Sequence, residues 1–210
     1  METGRCALDD VIATGELERR ARRAADAEAE ARAMSELQYA LAGSPTALLQ
    51  KLAEKALELC RAQSAGVSLL EEAGGRRFFR WYAVAGRFSG LRWTTLPHEL
   101  SPCAEVLARG ETVLMIDPER HYGQLPGAQP HVTEVLLVPF SVGGELVGTV
   151  WVVAHEEERR FDAEDRRVVT QLTQFASAGY GRLQSLRPED VRELSRMHLV
   201  AEPPRETDSK

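Results

Sequence analysis

Residues 133–163 read TEVLLVPFSVGGELVGTVWVVAHEEERRFDA, and their pattern decides the fold. Two arms, Glu134 to Val142 and Glu145 to His155, are dense in Val, Leu, Phe and Trp, side chains that suit a pleated and largely buried surface. Between them stands Gly143-Gly144. Two glycines supply the positive φ angles of a two-residue turn, so the arms are expected to pair antiparallel in fixed register. Pro139 has no ladder donor, which puts it at a bulge or with its nitrogen turned from the partner strand. A charged loop, His155 to Arg160, then leads into Phe161-Asp162-Ala163-Glu164-Asp165. This is a helix start, with Asp162 as N-cap and acidic residues facing the positive end of the dipole.

Working outward, Ala65 to Glu71 and Arg77 to Gly86 read as a second hairpin around Ala73-Gly74-Gly75. Strict alternation along the second arm would put Arg80, Tyr82 and Val84 on one face and Phe79, Trp81, Ala83 and Ala85 on the other; which face is buried stays open. Before this hairpin, Ser44 as N-cap and Pro45 at the first helical position open a helix to about Arg61. Its Leu48, Leu49, Leu52, Ala53, Ala56, Leu57 and Cys60 form an apolar stripe that suits a sheet. Ser101-Pro102 opens a short helix ending at Gly110, followed by a strand from Thr112 to Ile116. The helix after Asp162 should reach about Leu186, then Arg187-Pro188 breaks the chain, a short helix spans Glu189 to Met197, and the tail AEPPRETDSK has a disordered composition.

The chain begins with a segment rich in Ala, Glu and Arg from Thr14 to Ala42, which reads as one long helix. Glu16 and Arg20, Glu18 and Arg22, and Glu28 and Arg32 stand four apart in the favourable order. Leu17, Ala24 and Ala31 with Ala27, Met34 and Leu41 form a thin seam, either a dimer contact or the underside of a helix lying on its own domain. A parallel homodimer built from this helix and the one from Ala163 to Leu186 is expected, with Met34 and Leu41 outside the sheet core. The organisation is then a helical segment (1–43), a central domain (44–186) and a short helix with tail (187–210).

A formal net charge of -6 and no basic block outside a helix exclude the electrostatic footprint of a nucleic-acid binder. The opening METGRCALDD lacks the layout of a signal peptide, and no apolar run approaches the ~20 residues that span a bilayer; a soluble, cytoplasmic protein with no membrane partner is expected. Cys6, Cys60 and Cys103 are an odd set without CxxC spacing, which fits reduced thiols rather than a disulfide framework or zinc site.

LLVPF, the GG turn, VGTVWVVAH and RRFDAED, in that order, resemble the end of a GAF domain of the subtype found in bacterial sensor histidine kinases. The likeness continues upstream in ALELCRAQSAGVSLLEE from Ala56, FFRWYAVAG from Phe78, LSPCAEVLARG from Leu100 and DPERHY from Asp117, and covers roughly Pro45 to Tyr180. It implies an α+β, PAS-related fold: an antiparallel sheet of five or six strands, flanking helices on one face and a loop-closed pocket on the other. It also implies a sensory or regulatory role in signal transduction, without naming a ligand. The subtype usually reads SPCG where this chain has Ala104. No Cys-His pair of the bilin-binding kind and no Asn-Lys-Phe-Asp-Glu set of the cyclic-nucleotide-binding kind is present, so neither ligand is expected and the cofactor is left unknown.

Arg87 to Val132 is the irregular stretch, and long loops on a rigid scaffold are where binding sits. The pocket is expected to be lined by Trp81, Trp93, Cys103, His121, Tyr122 and Glu134, aromatic walls with a few polar groups. No catalytic residue is assigned. Cys103 near a helix N-terminus is either a thiol of lowered pKa or a small residue packed on the sheet. His98, Cys103, His121, His131 and His155 show no metal-ligand spacing. With no kinase, ATP-binding or DNA-recognition pattern in the chain, it reads as a stand-alone module that binds a small ligand or passes its signal to a separate protein. The alternatives are a thiol redox enzyme on the same fold and a pocketless dimerisation module.

Overall fold

In the computed structural model, residues 6–123 and 130–185 are described. Along the chain run α1 (Glu16–Arg19), α2 (Ala27–Ala40), α3 (Pro45–Leu59), β1 (Ser64–Ala73), β2 (Arg76–Gly86), β3 (Thr95–Pro97), α4 (Pro102–Arg109), β4 (Val113–Ile116), α5 (Glu119–Tyr122), β5 (Glu134–Val142), β6 (Glu145–Ala154) and α6 (Ala163–Ser185). The strands form one antiparallel sheet of six in the order β3-β2-β1-β6-β5-β4. Gly143 and Gly144 turn β5 into β6 at φ of 60° and 90°, a doubly positive backbone that glycine takes without strain. Pro139 pairs with Thr149 on β6, and on its other side it lies beyond Leu137, the end of the stretch paired to β4. Its missing N–H therefore costs the ladder little.

The caps follow the local chemistry. Ser44 Oγ accepts from the N–H of Ala47 at 3.2 Å to start α3, Ser101 Oγ from that of Cys103 at 3.3 Å to start α4, and Asp162 Oδ1 from those of Glu164 and Asp165 at 2.7 and 3.1 Å to start α6. Gly110 closes α4 in the left-handed region at φ 70°, as a helix C-terminus favours.

The sheet separates two cores. On one side the stripe of α3 and residues Val168, Val169, Leu172 and Ala176 of α6 pack on Val67, Leu69, Leu136, Val138, Val150 and Val152. On the other, Phe79, Trp81, Val84, Val135, Leu137, Trp151 and Val153 pack beneath Phe88, Leu96, Cys103 and Val106. The alternation expected along β2 breaks once. Ser68 pairs with Trp81 and Val67 with Ala83, leaving Tyr82 as an extra residue. This bulge shifts the pattern by one: Phe79 and Trp81 share their side with Val84, while Ala83 and Ala85 turn towards the helices.

The long helix expected from Thr14 to Ala42 is not formed. It breaks after α1, where Arg20 is extended at ψ 148°, and resumes at α2 under the cap of Asp26. Of the three i,i+4 pairs only Glu28–Arg32 is made, at 2.6 Å. Arg20 instead reaches Glu134 at 2.7 Å, Arg23 reaches Asp165 at 2.9 Å and Arg22 Nε donates to Glu164 at 2.9 Å. Each of these carboxylates is fully buried, and a carboxylate buried without a cation is costly, so each draws an arginine. Half of the expected seam serves this same domain: Leu17 is buried, and Met34 and Leu41 pack on the same core beside Ala33 and Leu37, while Ala24, Ala27 and Ala31 are exposed. Leu41 lies against α6 so closely that a β-carbon on Gly179 would stand 2.2 Å from its Cδ2, so it is part of the core. Ahead of α1, Ala13 N–H donates to Leu114 O at 2.8 Å and Ile116 N–H to Val11 O at 2.9 Å, which covers the outer edge of β4. The expected helix at Glu189 to Met197 and the tail lie outside the described residues.

Candidate functional site

The side of the sheet away from α3 and α6 holds a cavity floored by β2, β5 and β6 and roofed by the start of α4 and the segments that carry Phe88, Leu96, Pro118 and Val132. Strand parity builds the floor. Trp81, Val135, Leu137, Trp151 and Val153 all point to this side. The Trp81 and Trp151 rings stand 4.9 Å apart at 54°, and Phe88 flanks Trp81 at 6.2 Å. The cavity is small, about 50 Å³. The lining is almost wholly hydrophobic, with the Ser101 hydroxyl and the Cys103 thiol as its polar groups.

Beneath the rings runs a strip of satisfied polar contacts. Trp151 Nε1 donates to Ser68 Oγ at 2.8 Å, and Thr149 Oγ1 donates to Cys103 Sγ at 3.0 Å, with Ser68 and Thr149 paired across β1 and β6. Burial pushes the Cys103 thiol up, against the smaller opposing effect of its hydrogen bonds to Ser101, Thr149 and Ser68. The arrangement can sense or hold a ligand but does not present a thiolate nucleophile. Cys60 is on the other side of the sheet, its sulfur 3.8 Å from the carbonyl of Asp165, and burial pushes its pKa up as well. A Cys60–Cys103 redox pair is therefore ruled out by the sheet between them. Among the described residues no group of three or more His, Cys, Asp or Glu side chains is placed to hold a metal ion.

Of the residues expected to line the pocket, Trp81 and Cys103 do. Tyr122 packs against the same core from the side, its phenol pushed up to about 12 by burial. His121 Nδ1 sits 2.8 Å from the carbonyl of Cys6 and its ring meets Tyr122 edge-on at 4.7 Å. Trp93 is turned outward, 48% exposed, edge-on to Tyr82 at 5.4 Å with Arg92 over its ring. Glu134 faces the helices, where it accepts from Arg20 at 2.7 and 2.9 Å and from the N–H of Phe161 at 3.0 Å. The reason is parity: with Val135 and Leu137 on the cavity side, Glu134 and Leu136 must take the other. The same rule could have picked out Trp151, two residues from Thr149 and Val153, as cavity-facing; Phe88 and Pro118 carry no such signal.

Residues 42–179 match the GAF domain family. The chain belongs to that family. Among solved structures, the GAF domain resembles the GAF domain of a phosphoenolpyruvate-protein phosphotransferase from Acinetobacter, at 16% identity over 76% of this chain and 95% of that one, with a TM-score of 0.63. It is also similar to the free methionine-R-sulfoxide reductase of Neisseria meningitidis, solved with its substrate, at 17% identity over 85% and 98% of the two chains with a TM-score of 0.56. A third likeness is to the chromophore-binding domain of a bacteriophytochrome from R. palustris, at 14% identity over 75% and 61%, TM-score 0.58. No curated protein matches the sequence. At these identities the structures share the fold of the GAF domain, a family of signalling and ligand-binding modules. Among the described residues no helix is long and apolar enough to cross a membrane.

Proposed function

We propose that this GAF domain is a cytoplasmic sensory module, of the subtype found in bacterial sensor histidine kinases, that takes up a compact, largely apolar ligand and reports to a separate protein. The observation that carries this reading is the cavity between the indoles of Trp81 and Trp151 and the start of α4. At about 50 Å³ it is well below the ~300–1,000 Å³ typical of small-molecule sites, which favours a ligand of a few heavy atoms over a nucleotide, haem or bilin unless the rim opens. Ser101 and Cys103 would orient one polar group of the ligand while the rings supply burial.

A thermal-shift screen with purines, amino acids and small aromatic acids tests it. A binding compound should raise Tm in the parent chain and lose that effect in Val153→Leu, which narrows the cavity from the floor while adding one methylene. If no compound stabilises the parent, the cavity is a packing gap and the domain is a pocketless interaction module.

The thiol redox enzyme is the weaker reading, because burial pushes the Cys103 thiol up and Cys60 lies across the sheet from it. The homodimer expected from the sequence loses the unbroken helix that motivated it. The N-terminal segment packs on its own domain through Leu17, Ala33 and Leu37 and leaves Ala24, Ala27 and Ala31 exposed; the mass from light scattering at micromolar concentration decides between monomer and homodimer.

A further inference from the structure

The rim of the cavity at Phe88, Pro118 and Val132 is tied down by two histidines joined through one backbone carbonyl. His131 Nδ1 lies 2.8 Å from Glu119 Oε2, and its Nε2 lies 3.1 Å from Asp117 Oδ1. A neutral imidazole carries one proton, whereas two ionised carboxylates need a donor on each nitrogen. His131 therefore makes both contacts only as an imidazolium, and its pKa is raised, first by the hydrogen bond to Glu119. Glu119 also accepts from the N–H of Val132 at 3.1 Å, so the charged ring holds the lead-in to β5 against α5.

His155 is in the opposite state. Its Nδ1 is 2.8 Å from the carbonyl of His131, and its Nε2 is 2.8 Å from Ser64 Oγ. A carbonyl only accepts, so Nδ1 bears the proton and Nε2 is left to accept from the serine hydroxyl. Ser64 Oγ in turn accepts from the N–H of Phe88 at 3.1 Å. Burial, with the Phe88 ring edge-on at 4.7 Å, holds the His155 pKa below the usual range; the hydrogen bond to the His131 carbonyl opposes it most, followed by the charges of Glu119 and Glu156, while the charge of Arg87 adds to it. A second proton would turn Nε2 into a donor aimed at Ser64, whose fully buried hydroxyl would lose its acceptor.

We propose that His131 and His155 form a pH-windowed clasp on the cavity rim, tight while His131 is charged and His155 is neutral. On the acid side His155 takes a proton and lets go of Ser64 and Phe88. On the alkaline side His131 loses its proton, leaving the Asp117 and Glu119 carboxylates side by side without a cation between them. The signs are opposite for the two rings. His131, with its folded pKa raised, contributes stability that is complete below the ordinary imidazole range and is lost as pH rises through the raised value. His155, with its folded pKa depressed, binds a proton less well than in the unfolded chain, so its contribution is present above the ordinary imidazole range and is lost as pH falls towards the folded value. For function, the clasp bears on the cavity reading above by setting the pH at which a ligand can enter.

The test needs no ligand. In Trp93→Phe, Trp81 and Trp151 are the remaining tryptophans, and both line the cavity. Acrylamide quenching of their fluorescence is followed from about pH 4.5 to 9, spanning the imidazole range, with far-UV circular dichroism at each point to exclude global unfolding. The quenching constant should pass through a minimum near neutrality and rise about twofold on each side, as expected of a local opening. His155→Gln should remove the acid limb and His131→Gln the alkaline limb. A constant that is flat with pH while proton NMR shows both rings titrating, or histidine variants that keep both limbs, would overturn the clasp. Either result leaves the ligand reading standing, and a failed ligand screen leaves the quenching profile standing.

Discussion

The indole of Trp151 lies against the α-carbon of Gly66: a β-carbon there would stand 2.3 Å from the ring's Cζ2 and 2.6 Å from the carbonyl oxygen of Ala83. Neither the buried ring nor the backbone of a central strand can give way cheaply. Gly66→Ala is expected to cost about 1–3 kcal/mol, the usual range for overpacking a core, and to shift tryptophan emission. Gly90→Ala is the control, since nothing lies within 4 Å of its β-carbon position. The midpoints of urea unfolding compare the two, and equal midpoints would show that the indole has room to move.

Arg19 and Arg20 are neighbours in sequence with opposite expected sensitivities. Arg19 pairs with Glu16 in the open, while Arg20 makes two hydrogen bonds to a Glu134 with no exposed surface. Arg20→Ala leaves that carboxylate to Arg160 at 3.2 Å and the N–H of Phe161, and should cost about 2–4 kcal/mol, somewhat below the loss of a buried ion pair with no other support. Arg19→Ala should be close to neutral. Adding Glu134→Gln to Arg20→Ala should recover part of the loss, which a double-mutant cycle measures.

Glu164 carries the acid sensitivity of the same region. Hydrogen bonds from Arg167 first, then from Arg22, lower its pKa to about 2. A carboxylate depressed in the folded state contributes stability that is present above its unfolded value and is lost as pH falls towards the folded one. Between the ordinary glutamate range and about 2, the parent should therefore lose stability more steeply than Glu164→Gln. Parallel slopes in acid titrations followed by circular dichroism would assign the loss to other groups.

Thiol chemistry separates the cysteines. Cys60 and Cys103 are buried with raised pKa values, whereas Cys6 is partly exposed. Reaction with an aromatic disulfide reagent should show one fast thiol that disappears in Cys6→Ser and two that react only as fast as the domain opens. A fast phase that survives in Cys6→Ser and vanishes in Cys103→Ser would revive a reactive role for the cavity thiol.

Both hairpins, their glycine turns and the three helix caps were legible because each rests on residues adjacent in sequence: Gly143-Gly144, Ser44-Pro45, Ser101-Pro102 and Asp162. The broken N-terminal helix was not. Glu16–Arg20 and Glu18–Arg22 satisfy the local rule for an i,i+4 pair as well as Glu28–Arg32 does, and what defeats them is the set of buried carboxylates at Glu134, Glu164 and Asp165, more than a hundred residues away. The cavity was half legible for a similar reason. Composition pointed to aromatic walls, but Trp81 and Trp93 differ only in what the fold does with them: one continues the inward parity of β2, the other sits beyond the strand at φ 73° with its side chain turned out. The bulge at Tyr82 left no trace in the residue pattern, because Val84 and Ala85 are equally acceptable on either face.

The arginine segment also fixes an order of events during synthesis. Its contacts with Glu134, Glu164 and Asp165 span 114, 142 and 142 residues, and chains elongate at about 5–20 residues per second. Arg20, Arg22 and Arg23 therefore leave the ribosome several seconds before the carboxylates they neutralise exist. Through that interval the three cations lack their carboxylates, while α2 can already pack on α3, with Glu36 paired to Lys55 at 2.7 Å, and the hairpin of β1 and β2 can close. The arginine segment between α1 and α2 therefore finds its partners only when β5 and α6 have been made.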